Sequence, residues 1–314
     1  MDDLDGDVYV APRYLAGSIP TGDVGLQPPL DAGWQLTDDE LGNVYLQAPD
    51  QRVRIGYLPE DDDDALWKIA AYQHQFARPQ WAAAFSSDAP TELVAAFTTA
   101  LVHSYQQNDD SFLRGGIGQY SDPQPVLAPL ADADWAVTNE RWPQEMTAPD
   151  GLAGAWHQRG SLDPDAELTS NATRWGLWGG PPRVGWYAVF STHTPTAFIT
   201  TTATALVDPE PVLRWSGALS LMTRAHAQIT PVRPPAPTPR DLARIYQRKP
   251  PALHTVSVPR WSTTSTPSAR LPGPARPAAL RTHREFMCPF TQSSSSPKRS
   301  PTGWMARWWG TAST

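Results

Sequence analysis

Residues 81–102 read WAAAFSSDAPTELVAAFTTALV, and residues 186–207 read WYAVFSTHTPTAFITTTATALV. At a constant separation of 105 residues, 10 of the 22 positions are identical, including Trp81/Trp186, Phe85/Phe190, Pro90/Pro195 and Thr91/Thr196. Upstream, Ala48-Pro49-Asp50 recurs as Ala148-Pro149-Asp150, and Pro29-Leu30 with Trp34 recurs as Pro129-Leu130 with Trp135. The order of landmarks is kept while the separation drifts, as loop insertions and deletions produce. The body of the chain is therefore two copies of one module. The copies fall at 28–105 and 127–215, with an N-terminal segment over 1–27, a linker over 106–126 and a tail over 216–314.

Each copy reads as a short antiparallel meander followed by a helix. Val44-Leu46 and Val53-Ile55-Tyr57 alternate with polar neighbours such as Arg52 and Arg54, the period of a half-buried strand. Pro49-Asp50-Gln51 between them reads as a tight turn. Trp67 to Tyr72 is a third strand, and Trp81-Ala83-Phe85 places three apolar residues on one face of a fourth. After Ser-Ser-Asp, Pro90-Thr91 starts a helix, where proline suits the first turn. Leu93, Val94, Phe97 and Leu101 then form one apolar stripe, matched by Phe198, Ile199, Thr202 and Leu206. The fold class is α+β: two tandem modules, each a short antiparallel β-meander with a C-terminal helix, followed by a disordered basic tail.

Composition supports this division. The 314 residues include 34 Pro, 14 Trp and one cysteine, Cys288, with only 18% charged residues. No intramolecular disulfide and no cysteine-rich zinc site can form, so a reducing, cytoplasmic setting is expected. No apolar run is long enough to span a membrane, and no secretory signal is visible after the acidic start Met1-Asp2-Asp3. The net charge of -7 hides two opposite parts. Residues 1–230 carry 12 Lys and Arg against 30 Asp and Glu; residues 231–314 carry 13 against 2. The second part is rich in Pro, Ser and Thr and poor in periodic apolar residues, so it reads as disordered. For residues 265–314 two readings stand, a basic arm and an out-of-frame extension.

The run Val10-Ala11-Pro12-Arg13-Tyr14-Leu15-Ala16-Gly17, then Leu26 to Trp34, then Ala48 to Pro59, resembles the SPDY-motif family of streptomycetes, catalogued as domain of unknown function number 317 and often tandem. The naming motif falls on Ala48-Pro49-Asp50-Gln51, where Ala and Gln replace the Ser and Tyr of the name. The resemblance implies no established activity, so it supplies no catalytic residue.

A search for catalytic chemistry returns little. Gly115-Gly116-Ile117-Gly118 lacks the lysine of a phosphate-binding loop and reads as inter-module linker. Asp61 to Asp64 lack the alternate spacing of a calcium loop and read as a solvated charge run. His193 follows Ser191-Thr192, but its counterpart in the first copy is Asp88, so a surface histidine is expected. Neither a metal site nor a cofactor is expected. Asp50 and Asp150 are the repeated carboxylates beside a motif; an Asx turn with Pro49 and Pro149 is the expected role. A hydrolase-type site built on the acidic body is the competing one.

The tryptophans divide. Trp34, Trp135, Trp81 and Trp186 sit at matched positions and read as core anchors. Trp142, Trp156, Trp175 and Trp178 show no clear counterpart and read as an exposed aromatic face, with Arg52, Arg54, Arg159 and Arg174 on or beside the same strands. Arginine beside aromatic rings suits a protein partner or stacked bases. The expected function is a non-enzymatic protein-binding module pair. Nucleic acid held through residues 231–314 is the alternative partner, and a membrane is not expected.

Overall fold

The computed structural model describes residues 6–19, 22–59, 65–107, 109–114, 122–139, 143–163, 166–167 and 173–232. The chain divides into two compact units. Every described residue lies in the first, Met1–Arg233 with Arg299–Thr314; the second is Pro234–Lys298. The expected tail from residue 233 onward, the aspartate run 61–64 and the glycines at 115, 116 and 118 lie outside the described residues.

The first module runs α1 (Asp23–Asp31), β2 (Gln35–Asp38), β3 (Val44–Gln47), β4 (Val53–Tyr57), β5 (Ala65–Tyr72), β6 (Pro79–Ser86) and α2 (Thr91–Gln106). The second repeats it as α3 (Gln124–Asp132), β7 (Ala136–Asn139), β8 (Gln144–Thr147), β9 (Ala153–His157), β10 (Trp175–Gly179), β11 (Trp186–Phe190) and α4 (Thr196–Val207). The meander and its closing helix are as the sequence predicts. Each module also opens with a helix that the sequence reading left out. Pro28 and Pro29 lie inside α1 and Pro129 inside α3. Both helices span only nine residues, so these prolines remove few of the hydrogen bonds that would mark a break.

The two meanders fuse edge to edge rather than face to face. One antiparallel sheet of ten strands runs β2-β3-β4-β5-β6-β11-β10-β9-β8-β7. At the junction Ala84 pairs with Val189, Phe85 with Ala188 and Ala83 with Phe190. Residues 84 and 189 are equivalent in the repeat, so the Ala84/Val189 pair lies on an approximate two-fold axis. Pairing the last strands in this way removes two exposed sheet edges, which are otherwise aggregation-prone.

α1, α2, α4 and α3 form a layer in that order on one face. Beneath them Val53, Ile55, Trp67, Ile69, Trp81, Phe85, Phe97, Phe190 and Phe198 are buried in a single core. Across the axis Phe97 stacks on Phe190 at 5.7 Å and meets Phe198 edge-on at 5.6 Å. Trp34, Trp135, Trp81 and Trp186 are all buried, as expected of anchors. Each such ring contributes about 1.5–3 kcal/mol through the water it excludes.

The segments flanking the modules are structured further than the sequence boundaries suggest. β1 (Asp7–Ala11) pairs with β12 (Val212–Trp215) on one side and β13 (Gln228–Pro231) on the other, a three-stranded sheet made from both ends of the body. α5 (Leu221–His226) lies between its last two strands. The tail therefore does not begin at residue 216. β1 is the middle strand, with Tyr9 opposite Leu213 on one side and Thr230 on the other; Gln228–Pro231 register against Ala11–Val8, a pairing invisible locally.

Candidate functional site

Both Pro-Asp turns are built alike. The amide of Arg52 donates to Asp50 Oδ1 at 3.0 Å, and that of Leu152 to Asp150 Oδ1 at 2.9 Å, the expected Asx turns. The fourth motif position takes a left-handed backbone, φ 59° at Gln51 and 70° at Gly151. Glycine adopts it without strain, and a bulky side chain does not. Each aspartate also meets a tyrosine hydroxyl. Tyr14 donates to Asp150 Oδ2 at 2.7 Å, and Tyr105 bonds Asp50. Burial and the neighbouring carboxylate push the Tyr105 hydroxyl up to about 12, and the Tyr14 hydroxyl upward in the same direction. The two carboxylates thus close hairpins and hold tyrosines.

Tyr14 belongs to one of two straps that reproduce each other, whereas Tyr105 lies in the last turn of α2. Tyr14-Leu15-Ala16-Gly17 and Phe112-Leu113-Arg114-Gly115 precede the first and second module respectively. The first strap docks on the second module: the Trp186 indole N–H donates to the Tyr14 carbonyl at 2.9 Å. Arg13 donates to the Ala205 carbonyl and to Asp208, both at 2.9 Å, capping the last turn of α4. The other docks on the first module: the Trp81 indole donates to the Phe112 carbonyl at 2.8 Å. Phe112 and Leu113, assigned from sequence to the linker, are accordingly buried.

The eight Trp and Arg positions singled out from sequence do not form one surface. Strand alternation separates them. Trp175 points into the helix-covered core with Leu177, and is 2% exposed. Its register partner Phe190 shows that its counterpart is Trp67, which pairs with Phe85. The expectation of an exposed Trp175 is therefore corrected. Arg174 is also buried; its guanidinium donates to the carbonyls of Gln158 and Gly160 and to Thr192 Oγ1. Arg52 sits at the first turn, bonded to Asp110 at 2.7 Å with its guanidinium 5.0 Å from the Phe112 ring centre. Arg159 is exposed, and Trp142 lies outside the described residues.

Three of the eight, Arg54, Trp156 and Trp178, do share the sheet face opposite the helices. One row of register partners crosses the sheet as Tyr45, Gly56, Lys68, Ala84, Val189, Gly176, Trp156 and Glu145. The floor is made of small residues: Ala70, Ala82 and Ala84 form a second buried cluster with Tyr72 and Val189, against which Trp156 and Tyr187 pack.

Two tryptophans lie flat on glycines. Trp156 pairs with Gly176 and Trp178 with Gly154. A Cβ at Gly176 would stand 2.1 Å from the Trp156 ring, and one at Gly154 would stand 2.5 Å from the Trp178 ring. The two G-x-W runs, Gly154-Ala155-Trp156 and Gly176-Leu177-Trp178, were readable in sequence as a matched pair. Their antiparallel register lays each indole on the other strand's glycine. In the first module the equivalent positions hold Arg54, Gly56, Lys68 and Ala70. There the Arg54 guanidinium lies 4.7 Å from the centre of the Tyr72 ring and donates to the Gln75 carbonyl. One half of the face is aromatic and the other cationic.

A polar cluster marks the far edge of the second module. Glu167 accepts from the Thr192 amide at 3.0 Å and hydroxyl at 2.7 Å. Burial raises its carboxyl. His157 stacks on Trp175 at 4.0 Å, and burial, then the charges of Arg174 and Arg159, lower its imidazole to about 4. His193 is lowered too, first by burial and then by Arg114 and Arg174. Among the described residues no group of three His, Cys, Asp or Glu could hold a metal ion. Among them, too, no helix is long and apolar enough to cross a membrane.

A duplicated α+β unit, fused through its last strands and sealed by exchanged straps, defines a tandem-repeat protein. Residues 47–106 and 147–212 each match SPDY, described as a domain of unknown function (DUF317); the chain carries two SPDY domains in tandem. The matches begin at the two Pro-Asp turns and take in the strands and helices that meet across the axis. No curated protein and no solved structure matches the chain.

Proposed function

We propose that this chain is a non-enzymatic binding protein, a cytoplasmic pair of SPDY modules that presents one sheet face to a protein partner. The observation that carries the reading is the pair of indoles laid on glycines, Trp156 on Gly176 and Trp178 on Gly154. Glycine in mid-strand weakens a sheet. Placing two of them under two tryptophans gives broad, flat aromatic surfaces with few torsions to freeze, the composition favoured where proteins meet. Tyr187 extends the aromatic half, and Arg54 stands on the cationic half. Asp50 and Asp150, on which a hydrolytic reading would rest, are engaged in turn closure and tyrosine bonding.

The test is affinity capture with the full chain as bait. Trp156→Ala combined with Trp178→Ala should reduce recovery of a partner at least tenfold, with the far-UV circular dichroism unchanged. Undiminished capture by this variant would reject the face. The charge split favours a second reading, nucleic acid held by residues 231–314, which carry 13 Lys and Arg against 2 Asp and Glu. Its signature is binding that falls steeply with salt and ignores both tryptophans.

A further inference from the structure

The three-stranded sheet β12-β1-β13 packs one face on the body and leaves the other open. Val8, Val10 and Val212 point inward, buried with Ala16 and Leu219. Arg214, opposite Val8 in the register, is buried on that face too, and Glu92 accepts from it at 2.7 and 2.6 Å. The alternate residues point outward. Trp215 lies opposite Asp7, and the Val232 amide donates to the Asp7 carbonyl at 3.0 Å. In the next outward row Leu213, Tyr9 and Thr230 lie side by side. Trp215 is 55% exposed, Leu213 48%, Tyr9 42% and Val232 37%. Large apolar side chains scattered singly are ordinary on a surface, whereas these four share two adjacent rows of one small sheet and form a patch. The sequence of the strands carries the same signal. Val8-Tyr9-Val10-Ala11 is apolar without a break, and Val212-Leu213-Arg214-Trp215 is interrupted only by the arginine turned inward. A strand with one face in water alternates; an unbroken apolar run suits a strand covered on both faces.

We propose that this outer face is a second docking surface, separate from the indole-bearing face of the large sheet, for a partner segment in which an arginine stands between apolar side chains. Charge decides the occupant. Among the outward residues of the three strands Asp7 alone is charged, and it stands between Trp215 and Val232. Its side chain has no hydrogen-bond or ion-pair partner among the described residues. A guanidinium pairs with a carboxylate while its plane stacks on an indole or phenol ring, a combination that a compact ammonium matches less well. The body reinforces the sign, since residues 1–230 carry 12 Lys and Arg against 30 Asp and Glu. A second copy would set two such bodies against each other, and their like charge opposes it; a basic segment is attracted.

The experiment pans a phage-displayed library of random peptides on the full chain, after depletion on the full chain carrying Tyr9→Ser with Trp215→Ser. Depletion removes peptides that bind elsewhere, the Trp156 and Trp178 face included. Enriched peptides should carry arginine flanked by apolar residues. The most enriched peptide, titrated by fluorescence polarisation, should bind the double variant and Asp7→Lys at least tenfold more weakly, and the Trp156→Ala/Trp178→Ala chain unchanged. Absence of enrichment, enrichment of acidic or uncharged peptides, or full affinity for Asp7→Lys overturns the proposal. So does a concentration-dependent dimer in sedimentation velocity that the double variant abolishes, which would give the face to a second copy. Tyr9, Trp215 and Asp7 are all exposed, so each variant should keep the far-UV circular dichroism of the unsubstituted chain.

Discussion

Ser86 and Ser191 hold the two modules together reciprocally. Ser86 Oγ accepts the Tyr187 amide at 2.9 Å, and Ser191 Oγ accepts the Ala82 amide at 3.0 Å. Donors and acceptors are each separated by the repeat distance, so one bond is the image of the other. They stand at opposite ends of the short ladder between β6 and β11, where the backbone pairing runs out. Removing either hydroxyl leaves an N–H without its partner, at a cost of about 1–3 kcal/mol. Ser86→Ala and Ser191→Ala should each lower the urea midpoint with unchanged slope, Ser191→Ala more, because its bond is the more deeply buried. Midpoints equal to that of the unsubstituted chain would show that the hydroxyls do not close the junction.

The glycines under the indoles lead to a second expectation. Gly176→Ala places a methyl group 2.1 Å from the Trp156 ring, so the indole must swing away. The cost of such overpacking is about 1–3 kcal/mol. Near-UV circular dichroism should change, because an indole loses its fixed surroundings, while the far-UV signal stays. Gly151→Ala, where a Cβ meets nothing within 4 Å but φ is 70°, separates backbone strain from this clash. It should destabilise without altering the near-UV spectrum.

His157 predicts a pH dependence. Its imidazole is lowered from an ordinary 6.5 to about 4. Above 6.5 it is neutral in both folded and unfolded chains and contributes no slope. As pH falls from 6.5 to 4 the unfolded chain takes up the proton first, so stability is lost across that window, by up to about 3 kcal/mol. Glu167, raised by burial, acts in the opposite direction, since its stabilising contribution fades as pH rises through its folded value. His193 adds to the His157 effect. The difference between the unsubstituted chain and His157→Phe isolates the one residue. Urea unfolding from pH 7 to 4 should show the two curves converging or crossing toward pH 4, and parallel curves would exclude the assignment.

Much of the module is local and therefore legible. Trp81-Ala83-Phe85 alternates and forms a strand with those residues inward; Leu93, Val94, Phe97 and Leu101 recur at helical spacing and form the buried stripe of α2. Asp50 and Asp150 close their turns through atoms two residues away, a distance that composition alone specifies. The candidate site was legible only in part. Register places Arg54, Trp156 and Trp178 on one sheet face and Trp175 on the other, and periodicity in a five-residue strand does not reveal which parity of Trp175–Gly179 faces the helices. The core partner of Trp175, Phe190, and its counterpart, Trp67, are identified only by register.

By itself the sequence determined that there are two copies, where their turns fall, and which residues anchor each core, because these follow from side-chain size, turn chemistry and periods of two and 3.6. Tertiary structure alone decided that β6 and β11 pair, that Tyr14 serves the second module and Phe112 the first, and that residues 7–11 join 212–215 and 228–231 in one sheet. These contacts join segments from 31 residues apart, for Trp81 and Phe112, to about 220 apart, for β1 and β13, and depend on which strap docks where. A backbone N–H carries no label for its distant acceptor, so the choice is made by the edges and apolar surface left over once each module has folded.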